Sequence, residues 1–465
     1  MKSVSRWYGV LAALATGALL YFGSGLSTLP ALIWWAPLPV LLVVPHLRVG
    51  AAALTAFAGW LLGLMNLTPY LLDDLELPVV ALSFLLLMAG LFTVTALFFR
   101  ALVVCGHPLI AAIAVPGLWA ALDYVVSVVS PHGAFTSLAY TQADVRPVNQ
   151  IVSLAGPWGL SFLLLFGAAS LAARRFLLLA GVAAAVCLYG VVQLHQSPPP
   201  ATVRIAVLSA EGADDAGWPA AGGPAIVGRY EPLIADAARR GARVVLLPEK
   251  MVDVQIAALP GFSAFFQKLA SSNKVELVVG VTVLGDGDRN RALIFHPDGA
   301  APTSYDKHHL IPGLEPYESG DRLATYEGWG LMICKDLDFP ALARSYGKLD
   351  VGLLLVPALD FENDGWLHSR MALLRGIENG LPMARDGSKG RLTLSDAHGR
   401  VVGETEAPAD ASAVLVGELH PGRVHTLYTA WDDWFAWLCG LLALAGAVWL
   451  RSGGRRESIR HGQLR

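Results

Sequence analysis

Glu249, Lys307 and Cys334 are the residues of this sequence whose types could together do covalent chemistry: a carboxylate, an ammonium and a thiol. A thiol becomes a nucleophile when a base removes its proton and a cation stabilises the thiolate or the oxyanion made from it. Each of the three lies at the end of an apolar run or just beyond one. Glu249 closes LLPEK, Lys307 follows a predicted hairpin in SYDKHHLIPGLEP, and Cys334 ends GLMIC before the charged turn KDLD. Singly, each has an ordinary reading, as an exposed strand terminus, a solvated charge and a small buried residue. Jointly they read differently, because side chains at the mouths of neighbouring strands can converge above one sheet. Cys334 is also the one thiol outside the apolar segments, since Cys105, Cys187 and Cys439 all fall within stretches that read as membrane spans. A disulfide role within the water-soluble part is therefore closed to it.

The elements that must position these side chains begin near residue 201, where short β-branched runs separated by helical periods set in. Strands are predicted over 203–209, 243–249, 275–283, 291–299, 330–334 and 351–357, helices over 231–240, 262–272 and 366–380, and a hairpin over 391–404. Strands alternating with helices and then hairpins imply a layered α/β domain large enough to bury its own core.

The rest of the chain is of another kind. With 54% hydrophobic and 15% charged residues and a mean hydropathy of +0.52, the sequence is too apolar for a soluble protein of its length. A span needs roughly 20 apolar residues. Seven such stretches precede Pro198, at about 8–23, 29–45, 51–71, 77–99, 108–128, 151–172 and 176–194, and an eighth lies at about 432–450. The expected division is a seven-helix membrane domain over 1–198, an extracytoplasmic domain over 199–425, and an eighth helix with a basic cytoplasmic tail over 426–465. No small-residue cleavage site follows the first stretch, which reads as a retained span. Lys2, Arg6, Arg48, Arg100, Arg174, Arg175 and the tail RSGGRRESIRHGQLR fall on one side. Asp73, Asp74 and Glu76, with Arg146 as the single cation, fall on the other, so the Lys/Arg bias puts the N-terminus in the cytoplasm. Tyr428, Trp431, Trp434 and Trp437 enter the last stretch like an interfacial aromatic belt. The net charge of −3 and the scattered basic residues give no nucleic-acid footprint. Adjacent His308 and His309 on an extended loop point apart and predict no metal site, and phosphate-cradling Gly-rich loops are absent from the sequence.

The order LLPE, YDKHHLIPGLEP and GLMIC with its charged turn resembles the nitrilase (carbon–nitrogen hydrolase) superfamily. The membrane half narrows the resemblance. LWAALDYVV (118–126), AFTSLAYTQADVRPVNQIVSLAGPWGLSFLL (134–164) and WLHSRMALLRGIENGLPMARDGSKG (366–390) are similar to segments of the apolipoprotein N-acyltransferase family. The resemblance implies an αββα sandwich carrying a Glu–Lys–Cys triad behind a membrane domain of about eight helices. It makes Glu249 the general base, Lys307 the oxyanion-stabilising cation, Cys334 the nucleophile and Glu315 a second active-site carboxylate. It further implies a cofactor-free enzyme of the inner membrane, its catalytic domain periplasmic, whose partners are membrane lipids, a phospholipid acyl donor and a diacylglyceryl lipoprotein acceptor.

The sequence departs from the family pattern at four places. Lys335 and Asp336 stand where the family has Tyr and Glu, LSAEGADDAGWP replaces a Gln-Asn segment, Asp123 replaces a Glu, and an arginine after it is missing. Lys335 beside the thiol either favours thiolate or turns to solvent and pairs with Asp336, and Lys250 and Lys274 are expected to be solvated. The departures bear on the acceptor, so transfer to an amine stands beside hydrolysis by a membrane-tethered amidase. A catalytically dead scaffold is a third reading, which the intact triad disfavours.

Overall fold

The computed structural model describes residues 6–26, 28–74, 78–212, 217–219, 222–349 and 351–462. Lys2, Glu76, ADDA in LSAEGADDAGWP and the last three residues of the basic tail lie outside the described residues. Contacts divide the chain into two units, one of 1–129, 136–192 and 433–465, the other of 130–135 and 193–432. The second unit therefore includes Ser130–Phe135, a hexapeptide that the sequence reading assigns to the membrane half.

The first unit is helical. Among the described residues, five helices are long and apolar enough to cross a membrane: Val49–Leu67, Pro78–Val104, Pro108–Val129, Phe176–Leu194 and Trp434–Ser452. Three shorter apolar segments, Trp7–Gly23, Pro30–His46 and Pro157–Ala172, coincide with the other predicted stretches. Pro30–His46 is broken between the short helices Pro30–Ile33 and Leu38–Val43, with Pro37, which lacks an N–H to continue a ladder, capping the second. The core of the unit includes a stack of Trp60 on Phe92, with centroids 3.8 Å apart, edged by Trp119. Within it Asp123 accepts hydrogen bonds from the hydroxyls of Ser137 (2.7 Å) and Ser161 (2.5 Å), as an ionisable group away from water requires.

The second unit is a four-layer sandwich. Its strands are β1 (Val203–Ser209), β2 (Gly217–Trp218), β3 (Val244–Leu246), β4 (Asp253–Gln255), β5 (Glu276–Leu284), β6 (Arg289–Phe295) and β7 (Thr303–Asp306). There follow β8 (Ala324–Tyr326), β9 (Trp329–Leu331), β10 (Leu353–Leu359), β11 (Met383–Ser388), β12 (Arg391–Ser395), β13 (Val401–Glu406) and β14 (Ala413–Leu419). One sheet runs β14-β1-β3-β5-β4-β2, with the antiparallel pair β6 and β7 extending from β5, and the other runs β13-β12-β11-β10-β9-β8. Strands β1, β3 and β5 are mutually parallel, as are β9, β10 and β11.

Ile205, Val207, Val244, Leu246 and Val278 of the first sheet share a buried core with Leu353, Leu355, Ala384 and Leu392 of the second, so the sheets pack face to face. Helices Gly223–Arg239 and Leu259–Asn273 cover the outer face of the first, through Tyr230, Ile234, Phe262 and Phe266. Helices Pro340–Lys348 and Gly365–Asn379 cover that of the second, through Leu342, Tyr346 and Ala372. Covered on both sides, β5 and β10 are almost wholly buried, and their centres read as apolar runs rather than alternating ones. This is the αββα sandwich that the resemblance implies.

Candidate active site

Parallel strands of one sheet release their side chains at one end, and the three predicted residues leave the sandwich there. Glu249 follows β3, Lys307 follows β7 and Cys334 follows β9. All three are buried. The Lys307 ammonium donates to Glu249 Oε1 at 2.8 Å and to Glu315 Oε2 at 2.9 Å, with Oε1 of Glu315 at 3.1 Å. Asn290 of β6 joins the two carboxylates, its amide donating to Glu249 Oε1 (2.6 Å) and Glu315 Oε1 (2.8 Å). The remaining oxygen of Glu249 accepts the Leu359 backbone N–H at 3.0 Å, and that of Glu315 accepts the Ile311 N–H at 2.8 Å. The Cys334 thiol points at the carbonyl of the same Leu359, 3.7 Å away.

Cys334 takes φ +42, a region that non-glycine residues rarely enter and that is found at functional sites. It opens a 3-10 turn, Cys334–Asp338. Asp336 locks this turn: one carboxylate oxygen accepts Tyr305 Oη (2.7 Å) and Ile333 N (3.1 Å), and the other accepts His309 N (2.9 Å) and His308 N (3.2 Å). The segment bearing Lys307 and the turn bearing Cys334 are thereby tied through one carboxylate.

The electrostatics assign protons. Burial opposes the charge on Lys307, but the carboxylates of Glu249 and Glu315 outweigh it and hold the ammonium well above the usual lysine range. Burial likewise opposes ionisation of Glu315, and Lys307 and Lys250 outweigh it, so its carboxyl lies below the usual range. For Cys334, burial and then the Glu249 carboxylate push the thiol well above its usual range, against the pull of Lys307. Cys334 rests as a neutral thiol beside a hydrogen-bonded carboxylate, so its use as a nucleophile would call for proton removal concerted with attack.

Two sequence expectations are corrected. Lys335 neither turns to solvent nor pairs with Asp336. It is buried, its ammonium 3.2 Å from Asp338 Oδ2 and 3.4 Å from His132 Nδ1, with the Phe339 ring beneath. Asp336 is already saturated by four donors, so the cation takes the carboxylate one 3-10 turn further on. Burial, followed by the neighbouring Lys335 charge, pulls His132 down to about 4, which leaves its imidazole neutral and able to accept from Lys335. Lys250 also differs from expectation: it is only partly exposed and lies 3.5 Å from Glu315. Lys274 is exposed, as expected.

Sequence reasoning missed Asn290, His132 and the pair Asp360 with Arg385. Asn290 had a signal, since it occupies a buried-parity position of β6 between outward Arg289 and Arg291. So did Asp360, a carboxylate just beyond an apolar strand like Glu249. His132 had none, because only tertiary structure brings it to Lys335.

A buried Glu, Lys and Cys brought together at one end of an αββα sandwich form a candidate site for thiol-dependent carbon–nitrogen chemistry. A family model described as carbon-nitrogen hydrolase matches residues 205–427, and one described as the apolipoprotein N-acyltransferase N-terminal domain matches residues 16–170. The chain is 27% identical over 402 residues to the apolipoprotein N-acyltransferase of Geobacter metallireducens, covering 75% of each. It is 22% identical to that of Haemophilus ducreyi (75% of this chain, 77% of that one) and 24% identical to that of Vibrio vulnificus (72% and 74%). Among solved structures, the carbon-nitrogen hydrolase of Helicobacter pylori G27 covers 47% of this chain and 89% of its own at 17% identity, with a TM-score of 0.40. The chain belongs to the apolipoprotein N-acyltransferase-like members of the carbon–nitrogen hydrolase superfamily, and it is a membrane protein and an acyltransferase.

Proposed function

We propose that the protein moves a fatty acyl group from a phospholipid, through a thioester on Cys334, to the N-terminal amine of a diacylglyceryl lipoprotein. The observation that carries this reading is the pairing of the Glu249–Lys307–Cys334 geometry with an N-terminal half of the apolipoprotein N-acyltransferase type. In the first step Glu249 takes the thiol proton as sulfur attacks the ester carbonyl. The oxyanion is held by the Lys307 ammonium and by the backbone N–H of Lys335, each donor worth roughly 3 kcal/mol. Collapse expels the lysophospholipid alkoxide, which recovers the proton from Glu249. In the second step the acceptor amine attacks the thioester, Glu249 removes its proton, and the sulfur leaves and is reprotonated. No cofactor enters either step.

The same reading puts about eight spans in an inner membrane, with the catalytic domain on the periplasmic side. The one-sided Lys and Arg distribution supports this orientation. Mass spectrometry of the detergent-purified protein incubated with phospholipid tests the chemistry. Expected is a gain of one acyl group on the Cys334 peptide, removed by neutral hydroxylamine and discharged by a diacylglyceryl peptide with amide formation. Cleavage of a small amide without any amide-linked acyl product would favour the amidase instead.

A further inference from the structure

The peptide that touches both the base and the nucleophile is itself held by a buried ion pair. Leu359 donates its N–H to Glu249 and accepts the Cys334 thiol, and the next residue, Asp360, pairs with Arg385 of β11. The pairing is bidentate: Nη1 donates to Oδ2 at 2.9 Å and Nη2 donates to Oδ1. Both side chains are essentially fully buried. The Asp360 N–H is anchored to Ser388 O at 2.9 Å, continuing the β10 and β11 ladder in which Val356 lies opposite Arg385. Gly387 and Gly390 close over the pair so tightly that a Cβ on Gly387 would lie 2.3 Å from Arg385 Nη1, and one on Gly390 would lie 2.3 Å from Asp360 Oδ2. Arg385 Nε has no hydrogen-bond partner among the described residues. A buried ion pair of this kind is weak support for stability, since desolvation offsets its attraction, so its presence calls for another role.

We infer that Asp360 and Arg385 are positioning residues for acyl transfer: Arg385, through Asp360, fixes the Leu359 peptide that sets the spacing between Glu249 and Cys334, and the pair places one charge of each sign near the thiol. The inference rests on Cys334 being the nucleophile. Four charged groups act on that thiol. Glu249 and Asp360 oppose its ionisation, and Lys307 and Arg385 favour it. The two halves of the pair thus pull in opposite directions, and substitutions should reveal it. Asp360→Asn leaves a permanent guanidinium near sulfur, because arginine cannot shed its charge. Arg385→Gln leaves a buried carboxyl that can take up a proton, so its electrostatic effect is the smaller of the two.

The test uses full-length protein in detergent, reading carbamidomethylation of the Cys334 peptide by iodoacetamide against pH alongside thioester formation from phospholipid. Asp360→Asn is expected to move the alkylation midpoint down by about one pH unit, and Arg385→Gln to move it up by less. Both should slow thioester formation at least tenfold. Arg385→Lys, which keeps the charge but loses the bidentate grip, should hold the midpoint within about 0.3 unit of wild type while thioester formation still falls. It also serves if Arg385→Gln fails to fold. A pair that merely braced the fold would expose the thiol when either partner was lost, and alkylation would accelerate in both variants. That outcome, or thioester formation within threefold of wild type in Asp360→Asn and Arg385→Lys, overturns the inference. Failure of the acyltransferase reading would appear separately, as wild-type protein that takes up no acyl group yet still shows the alkylation profile.

Discussion

Replacing Lys307 with methionine keeps most of the side chain, one heavy atom short, and removes its charge. The ammonium makes contacts of 2.8–3.1 Å with two carboxylates whose side chains, like its own, are 1% exposed. The four neighbouring charges, Lys307 and Lys250 against Glu249 and Glu315, sum to zero, and Lys307→Met leaves a net negative charge beside the sulfur. Two losses follow. An oxyanion donor disappears, worth about 10²–10³ in rate, and negative charge now opposes the developing thiolate. Together these predict a loss of at least about a thousandfold in thioester formation, roughly 4 kcal/mol of barrier. The uncompensated buried charge also costs about 3–5 kcal/mol of stability, or some 6–20 °C in melting temperature for a domain of this size. Lys307→Met with Glu315→Gln restores neutrality without restoring the donor. The double variant should regain most of the melting temperature but only about tenfold of the rate, a fraction of what one lost donor is worth. Intact-protein mass spectrometry over time reads the first quantity, and a thermal melt in detergent reads the second. A single variant within tenfold of wild type, or a double variant no more stable than the single, would refute the charge argument.

Gly133 has φ +55, and a Cβ there would lie 2.4 Å from the Asp338 carbonyl oxygen, so Gly133→Ala should displace the Cys334–Asp338 turn and slow thioester formation at least tenfold. Gly50→Ala, with nothing within 4 Å, should leave the rate unchanged, and equal effects would count against the geometry. Asp386 is fully buried, neither of its oxygens is hydrogen-bonded among the described residues, and burial lifts its carboxyl well above the usual range. Below about pH 4 both folded and unfolded states hold that proton; as pH rises the unfolded chain ionises first, so wild type loses stability that Asp386→Ala does not. The variant's advantage in a melt should therefore grow from pH 4 to 7, and an advantage that shrinks over that interval would contradict this account. Asp336→Glu should impair the first step by overfilling a site with four donors already in place, whereas Lys335→Tyr should alter acceptor choice more than thioester formation; acyl-enzyme yield and product amide, measured in parallel, separate the two. A reporter fused after Gln196 should be extracytoplasmic and one after Arg451 cytoplasmic, and both on one side would mean that the span count is wrong.

The three candidate residues stood out in the sequence because strand ends are legible. A buried strand shows as an apolar run, and a charged residue or thiol at its close stands out. Partners that depend on register were not. Asp360 and Arg385 meet because β10 and β11 are parallel neighbours with Leu355 opposite Ala384, a pairing that no local pattern encodes. The strand β14 joins β1 with Val203 opposite Leu419, so its place in the first sheet follows from the chain's return rather than from its own residues. Helix Gly223–Arg239 begins eight residues before the predicted start at 231, because Pro232 lies inside it and Gly223 and Gly228 dilute its period. The short strands β4 and β8, three residues each, carry too few positions for an alternation to register.

The position of Cys334, the proposed nucleophile, is set from three directions by segments far apart in the chain. Asp336 draws the turn toward the segment that carries Lys307, through the backbone N–H groups of His308 and His309. The Asp338 carbonyl accepts Ala134 N–H at 2.8 Å, and Lys335 bridges Asp338 to His132, which binds the same turn to Ser130–Phe135. The Leu359 carbonyl faces the sulfur from the end of β10, where Arg385 and Asp360 hold it. A backbone at φ +42 costs of order 1–3 kcal/mol and persists only where its surroundings over-determine it, and these three attachments are that surrounding. The departure from Tyr–Glu to Lys–Asp after the cysteine accordingly separates into two effects. Aspartate at 336 keeps a carboxylate for the clamp on the cation-bearing segment. Lysine at 335 exchanges a neutral ring for an ammonium that ties the turn to a hexapeptide lying, in the chain, immediately after the helix Pro108–Val129. The first ties the thiol-bearing turn to the segment of Lys307, and the second ties the same turn to Ser130–Phe135.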